Sequence, residues 1–303
     1  MTDKINLKWY DANYVYSDGE IEQEVLRELE NGVSPDTLLN EDFRWPILYH
    51  FSPERHAVLD WIDAVEGSNV LEIGSGWGAI TGCLCERAQH VTCVDLSLIR
   101  SQINKLRNKN HNNFEIIVAN LNDIPFERQF EVVTLIGVLE YCGRYTVDRN
   151  PYEAFLQKAF SLVKPGGILV LAIENRLGLK YFAGANEDHY SRPYEGLNNY
   201  PNDEGIRTFS YSELHDLIDT LDAVSADFYL PFPDYKFAQT IVAADDSSHF
   251  SEAIVNERNY GAYAFSSFDQ STVFKTLAEQ NDLKQFANSY IVLIQKRAGE
   301  EKR

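Results

Sequence analysis

Residues Val70-Leu71-Glu72-Ile73-Gly74-Ser75-Gly76-Trp77-Gly78-Ala79-Ile80-Thr81 constrain the fold more than any other stretch of the chain. Val70, Leu71 and Ile73 suit a strand covered on both faces of a parallel sheet. Three alternate glycines follow, permitting a tight turn and letting main chain approach a ligand with no Cβ in the way. The residues after them suit a helix, whose first free N–H groups favour polar or anionic ligand atoms. The spacing Gly74-x-Gly76-x-Gly78 is not the G-x-G-x-x-G of a dinucleotide site, and no Gly-Lys-Ser/Thr follows to make a phosphate loop. The next apolar run, His90-Val91-Thr92-Cys93-Val94-Asp95, ends in a carboxylate 17 positions past the last glycine. An acid at the end of a second strand accepts both hydroxyls of a ribose.

Glu72-x-Gly74-x-Gly76-x-Gly78 followed by Val94-Asp95 resembles the cofactor site of class I S-adenosylmethionine-dependent methyltransferases. The resemblance implies S-adenosyl-L-methionine as cofactor. It places Glu72, Gly74, Ser75, Gly76, Gly78, Asp95, Leu96, Asn120, Leu121 and Gly137 at that cofactor. Asn120 departs from the family habit, because an acid usually meets the adenine amino group there. An amide oxygen still accepts that hydrogen bond, without the charge.

Downstream, Phe114–Val118 reads as the third strand and Phe130–Ile136 as the fourth, ending in Gly137-Val138-Leu139-Glu140-Tyr141. A helix from Asn150-Pro151 should stop at Lys164-Pro165-Gly166-Gly167, before a fifth buried strand, Ile168–Ile173. Ala226–Phe232 reads as the sixth strand and Ser289–Lys296 as the last. Strands alternating with helices predict a Rossmann-like, doubly wound α/β sheet, mostly parallel. The family resemblance implies seven strands with an antiparallel last one. Ligands of such sheets lie beyond the carboxyl ends of the strands, where Gly74, Asp95, Asn120, Gly137 and Glu174 all fall.

Residues 1–55 form an N-terminal helical and aromatic segment. Ile21, Val25 and Leu29 keep helical spacing. The run Phe43–Pro53 is either a lid over the cofactor cleft or a helix and loop packed outside the sheet. The methyltransferase domain is expected over 56–303, with a substrate loop at 174–209 and an insertion at about 233–285.

The loop after the fifth strand is crowded with charge. Its candidates for a proton acceptor are His189, Asp188, Glu174 and, from the fourth strand end, Glu140. His189 draws notice because an ordinary imidazole titrates at about 6.5; Asp188 and His189 could equally pin the loop. Asn175, Arg176, Lys180 and Tyr181 are candidate acceptor-binding residues, with Arg176 and Lys180 either meeting an anionic group or forming internal salt bridges.

The phrases Glu174-Asn175-Arg176-Leu177-Gly178-Leu179-Lys180-Tyr181, Glu187-Asp188-His189, Pro233-Asp234-Tyr235-Lys236 and Trp45-Pro46-Ile47-Leu48-Tyr49-His50 resemble methyltransferases associated with bacterial cell-surface polysaccharide. This implies O-methylation of a sugar or polysaccharide-linked acceptor, and a glycosyltransferase as partner. The alternatives are methylation of another small metabolite or of a protein, or a non-catalytic cofactor-binding module.

Net charge is −19, which repels phosphate backbones and makes nucleic acid an unfavourable partner. The four cysteines contain no C-x-x-C pair, and the histidines show no ligand spacing, so no metal is expected. Unpaired cysteines fit a reducing cytoplasm. With no apolar run near 18 residues, no membrane insertion is expected.

Overall fold

The computed structural model describes residues 4–202, 204–246, 250 and 266–299. Among these described residues, nine strands are hydrogen-bonded into one sheet. They are β1 (Ile5–Asn6), β2 (Asn69–Ile73), β3 (His90–Asp95), β4 (Phe114–Val118), β5 (Phe130–Ile136), β6 (Val163–Glu174), β7 (Ala223–Phe232), β8 (Thr240–Ala243) and β9 (Ser289–Lys296). Their order is β1-β4-β3-β2-β5-β6-β9-β7-β8. Strands β1 to β6 pair in parallel, while β9 runs antiparallel to both β6 and β7.

The expected seven strands are therefore nine. The two additions cap opposite edges: β1 is two residues long beside β4, and β8 is a four-residue partner of β7. Neither is long enough to declare a period-2 pattern in sequence.

Alternation along the strands separates two cores. Leu71, Ile73, Val133, Leu135, Leu169 and Leu171 face one side, under helices Pro151–Ser161 and Tyr211–Ile218. Val70, Val91, Cys93, Ile116, Val132 and Ala172 face the other, under the 3₁₀ turns of 53–65 and helix Thr81–Arg87. Cys83, Cys85, Cys93 and Cys142 are all buried and unpaired. Among the described residues, no helix is long and apolar enough to cross a membrane.

Helix Leu98–Arg107 starts at Ser97, whose hydroxyl accepts from the Arg100 N–H. Its Ile99, Ile103 and Leu106 meet Ile21, Val25 and Leu29 of helix Ile21–Glu30, so the N-terminal segment is packed onto the sheet's helical layer. Helix Tyr211–Ile218 carries the capping box of Ser210 and Glu213, satisfying two orphan N–H groups reciprocally.

Lys164-Pro165-Gly166-Gly167 does not end the preceding helix, as the sequence suggests, but lies inside β6. Phe130 pairs with Val163 and Val132 with Ile168, so these four residues bulge out opposite one residue of β5. The helix stops earlier, at Ser161. Helix Gln270–Glu279 occupies part of the expected insertion; residues 247–249 and 251–265 of it lie outside the described residues.

From β2 the chain passes to β3 and β4 on one side, then returns to β5 and β6 on the other. The reversal opens a crevice beyond the carboxyl ends of β2 and β5.

Candidate active site

A cavity of about 320 Å³ fills that crevice, within the range of small-ligand pockets. Its floor is the glycine loop. Gly74, Gly76 and Gly78 all have positive φ, from +52° to +77°. At Gly74 a Cβ would stand 2.2 Å from Val138 Cγ2, so a side chain is excluded by space as well as by backbone. Gly78 serves differently. It does not line the cavity, and a Cβ there would strike the side chains of Asn104, in helix Leu98–Arg107, and of Asn108, which caps that helix. Its smallness lets that helix approach the loop.

Asp95 lines the cavity at the end of β3. One carboxylate oxygen accepts from the Gly76 N–H at 2.7 Å and the other from the Ser97 N–H at 2.8 Å. This fixes the carboxylate against the loop while each oxygen keeps lone pairs for a ligand. Ser75 Oγ is buried with no partner, which leaves a polar atom available at the floor. Glu72, Leu96, Asn120, Leu121 and Gly137 also line the cavity. Asn120 is already engaged: its amide donates to Tyr145 O at 2.7 Å, and its oxygen accepts from the Asn122 N–H at 3.1 Å. Burial pushes the Glu72 carboxyl up to about 7, against hydrogen bonds from Thr81 and Cys93 that favour the ion.

The roof comes from the N-terminal segment. Tyr16, Asp18, Trp45, Tyr49 and His50 line the cavity. His50 stacks on Trp77 with ring centroids 4.3 Å apart, and burial pushes its imidazole down to about 3, so it stays neutral. Arg55 and Arg100 are two buried guanidinium groups on the same lining. Arg100 lies among Asp18, Glu22 and Asp95. Arg55 sits over the Tyr49 ring at 4.3 Å and donates to Lys236 O at 3.3 Å, while its buried Nε has no partner.

The far end is acidic. Glu140, Glu174, Asp188 and His189 line it, with Tyr141, Tyr235 and Lys236. Asp188 Oδ2 accepts from Lys180 at 2.7 Å, Tyr181 at 3.2 Å and Lys236 at 3.3 Å. Burial opposes that charge, but the two lysines hold the carboxyl well below the usual range. Glu187 accepts from the His189 and Tyr190 N–H groups, both at 2.8 Å, and its other oxygen lies 2.9 Å from His189 Nδ1. Burial alone would lower the His189 imidazole, yet the carboxylates of Glu140 and Glu187 raise it well above its ordinary value. The free-imidazole pKa on which the sequence reading of His189 leaned does not apply in this setting.

Of the loop residues singled out in sequence, Glu174, Asp188 and His189 reach the cavity; Asn175, Arg176, Lys180 and Tyr181 do not line it. Asn175 is fully buried and donates to the Gln285 and Ala287 carbonyls. Arg176 makes a two-pronged pair with Glu213 at 2.6 and 3.1 Å. Lys180 and Tyr181 brace Asp188 from behind. Arg176 and Lys180 thus form internal ion pairs with Glu213 and Asp188. Sequence reasoning missed Tyr16, Asp18, Arg55, Arg100, Tyr235 and Lys236 as cavity residues. Only Tyr235 and Lys236 carried a signal, as part of the Pro233-Asp234-Tyr235-Lys236 phrase.

Residues 71–171 match the family model described as a methyltransferase domain. The matched stretch contains the glycine loop, Asp95 and Glu140. The chain is similar to the ubiquinone biosynthesis O-methyltransferase of Pseudomonas fluorescens, 27% identical over 135 residues, covering 43% of this chain and 54% of the relative. It is also similar to the demethylmenaquinone methyltransferase of Tropheryma whipplei, 30% identical over 118 residues, covering 39% and 46%. The chain thus spans about half the length of these curated relatives. Among solved structures, phosphoethanolamine N-methyltransferase 1 of Haemonchus contortus, in complex with phosphoethanolamine and S-adenosylhomocysteine, superimposes with a TM-score of 0.52. It is 12% identical, covering 95% of this chain and 53% of that one, and the likeness is one of fold.

Proposed function

We propose that this chain transfers the methyl group of S-adenosylmethionine to a hydroxyl oxygen of a sugar or polysaccharide-linked acceptor. The observation that carries the reading is one continuous cavity joining the Gly74–Ser75–Asp95 cradle to the Glu140–Glu174 end.

The cradle fits the cofactor. Asp95 offers lone pairs to two ribose hydroxyls. Leu96, Leu121 and the Asn120 amide border the place for a base. Glu72, Gly74, Ser75 and Gly137 border the place for the amino-acid portion. Arg55 supplies what the loop lacks, a buried cation with an unpartnered Nε; a ligand carboxylate satisfies it, since a buried charge left unpaired is costly. When bound, the cofactor supplies an electrophilic methyl group on a positively charged sulfur.

The chain's own contribution is position and charge. Holding the reacting atoms in line removes much of the barrier to a displacement. Carboxylates at the far end favour the positive sulfur electrostatically. As the oxygen–methyl bond forms and the sulfur–methyl bond breaks, the acceptor hydroxyl must lose its proton. Glu140 Oε2 and Glu174 Oε2 are buried and have no partner, so either carboxylate has room to take it. Asp188, held through Oδ2 by Lys180, Tyr181 and Lys236, and His189, held through Nδ1 by Glu187, position that end. Trp45, Tyr49, Tyr141 and Tyr235 offer ring faces and hydroxyls, which suit a sugar's mixed apolar and polar surface. The N-terminal roof acts as a lid.

The likeness to the ubiquinone biosynthesis O-methyltransferase and the same aromatic lining favour a second reading, methylation of a hydroxylated aromatic. The test is incubation with methyl-labelled S-adenosylmethionine and two acceptor panels, free oligosaccharides and dihydroxyphenyl compounds. Label on a saccharide is expected. Label on phenols alone replaces the sugar with the aromatic. Label on neither rejects both acceptor classes.

A further inference from the structure

We infer that Glu140, Glu174 and His189 form a binding site for one divalent cation at the acidic end of the cavity. One ligating atom from each residue lies within 4.8 Å of the others, a spread that a small ion can close with modest side-chain movement. The three come from separate segments: the turn after β5, the end of β6, and the following loop.

Three features separate this cluster from a chance gathering of acids. First, Glu140 and Glu174 are each 1% exposed, yet each keeps a carboxylate oxygen with no hydrogen-bond partner. A buried acceptor left unsatisfied is destabilising, and two of them on one cavity wall point to a missing positive partner. Secondly, His189 has the arrangement of a metal-binding histidine. Its Nδ1 faces Glu187 Oε1 at 2.9 Å, which fixes the ring and directs Nε2 towards Glu140 Oε1, 3.7 Å away. A carboxylate behind the imidazole is the usual outer support of such a ligand. A metal ion at Nε2 takes the place of that nitrogen's proton. Thirdly, the charges do not balance among the described residues. Glu140, Glu174, Glu187, Asp188 and Asp234 are five carboxylates around three cationic groups, the ammonium groups of Lys180 and Lys236 and the imidazole of His189. Lys236 and the Tyr235 hydroxyl both engage Oε1 of Glu174 and leave Oε2 free.

Two carboxylates and one imidazole suit Mn²⁺, Mg²⁺ or Zn²⁺ better than a soft ion. Three protein ligands leave coordination positions open to oxygen atoms of a bound molecule. The use of those positions to seat the acceptor hydroxyl rests on the methyltransferase reading; the existence of the site does not.

The experiment is Mn²⁺ titration of EDTA-stripped, dialysed protein, followed by loss of the six-line paramagnetic signal of free Mn²⁺. S-adenosylhomocysteine binding to the same samples is measured by calorimetry. The parent should take up one Mn²⁺ per chain and gain thermal stability from it. Glu140→Gln and Glu174→Gln should each bind Mn²⁺ at least tenfold more weakly, and Glu66→Gln, at an exposed ion pair far from the site, should match the parent. No uptake by a parent that still binds S-adenosylhomocysteine overturns the cation site and leaves the methyltransferase reading intact. Uptake unchanged in both cavity variants also overturns it. If either variant fails to fold, the parent's Mn²⁺-dependent shift in Tm and the other variant decide.

Discussion

At the scale of single residues, Gly74 and Glu72 set the sharpest expectations. Gly74 combines a φ of +75° with a Cβ position 2.2 Å from Val138 Cγ2. Neither the strain nor the overlap is relieved without moving the loop, and overpacking alone costs about 1–3 kcal/mol. Gly74→Ala should therefore lower Tm by several degrees and weaken S-adenosylhomocysteine binding at least tenfold; parent-like values of both would sink the cradle reading. Glu72 makes a pH prediction. Its folded carboxyl titrates at about 7, above the ordinary 4.5, chiefly through burial. A raised carboxyl contributes stability fully below the unfolded value and loses it as pH rises through the folded one. Between pH 4.5 and 7 the ligand-free parent should lose on the order of 3 kcal/mol that Glu72→Gln keeps. The measurement is the difference in unfolding free energy between the two proteins across that range; a difference that stays flat with pH rejects it.

At the scale of elements, the loop from Glu174 to His189 divides into residues that line the cavity and residues bonded to other parts of the chain. Arg176 is tied to Glu213, which also caps helix Tyr211–Ile218, and to the Gly196 carbonyl. The pair is only partly buried, so removing it should cost about 1–3 kcal/mol. Arg176→Ala should lower Tm while leaving S-adenosylhomocysteine affinity within twofold of the parent. An unchanged Tm with lost affinity would move Arg176 back to the ligand side. The same split explains what was readable in advance. The chain order Glu174, Asp188, His189 marked a loop on the carboxyl edge, and all three reach the cavity. Nothing in sequence separated them from Asn175 and Lys180, because that depends on whether a side chain turns into the cavity, towards Gln285 and Ala287 as Asn175 does, or onto Asp188 as Lys180 does. The metal-compatible grouping was likewise hidden, since Glu140, Glu174 and His189 are brought together only by the sheet.

At the scale of the whole molecule, the parallel body of the sheet was legible because each buried strand announces itself. β2, β4, β5 and β9 carry continuous or alternating apolar runs, and their ends fall at Gly74, Asn120 and Gly137 as expected. The edges were not legible. β1 and β8 are held by main-chain pairing rather than by side-chain pattern, and the Lys164–Gly167 bulge uses turn residues inside a strand. The roof was legible only as two options, because aromatic residues before a core strand fit either a lid or an outer layer. The cavity lining contains Tyr16, Trp45 and Tyr49, while Ile21, Val25 and Leu29 pack on helix Leu98–Arg107. The central claim, that this crevice binds S-adenosylmethionine through Asp95, is tested most directly by calorimetric titration with S-adenosylhomocysteine. The parent should bind one equivalent per chain. Asp95→Ala should bind at least tenfold more weakly, since hydrogen bonds to a charged acceptor are worth about 1.5–3 kcal/mol. No heat of binding from the folded parent, or equal affinity in the two proteins, would contradict it.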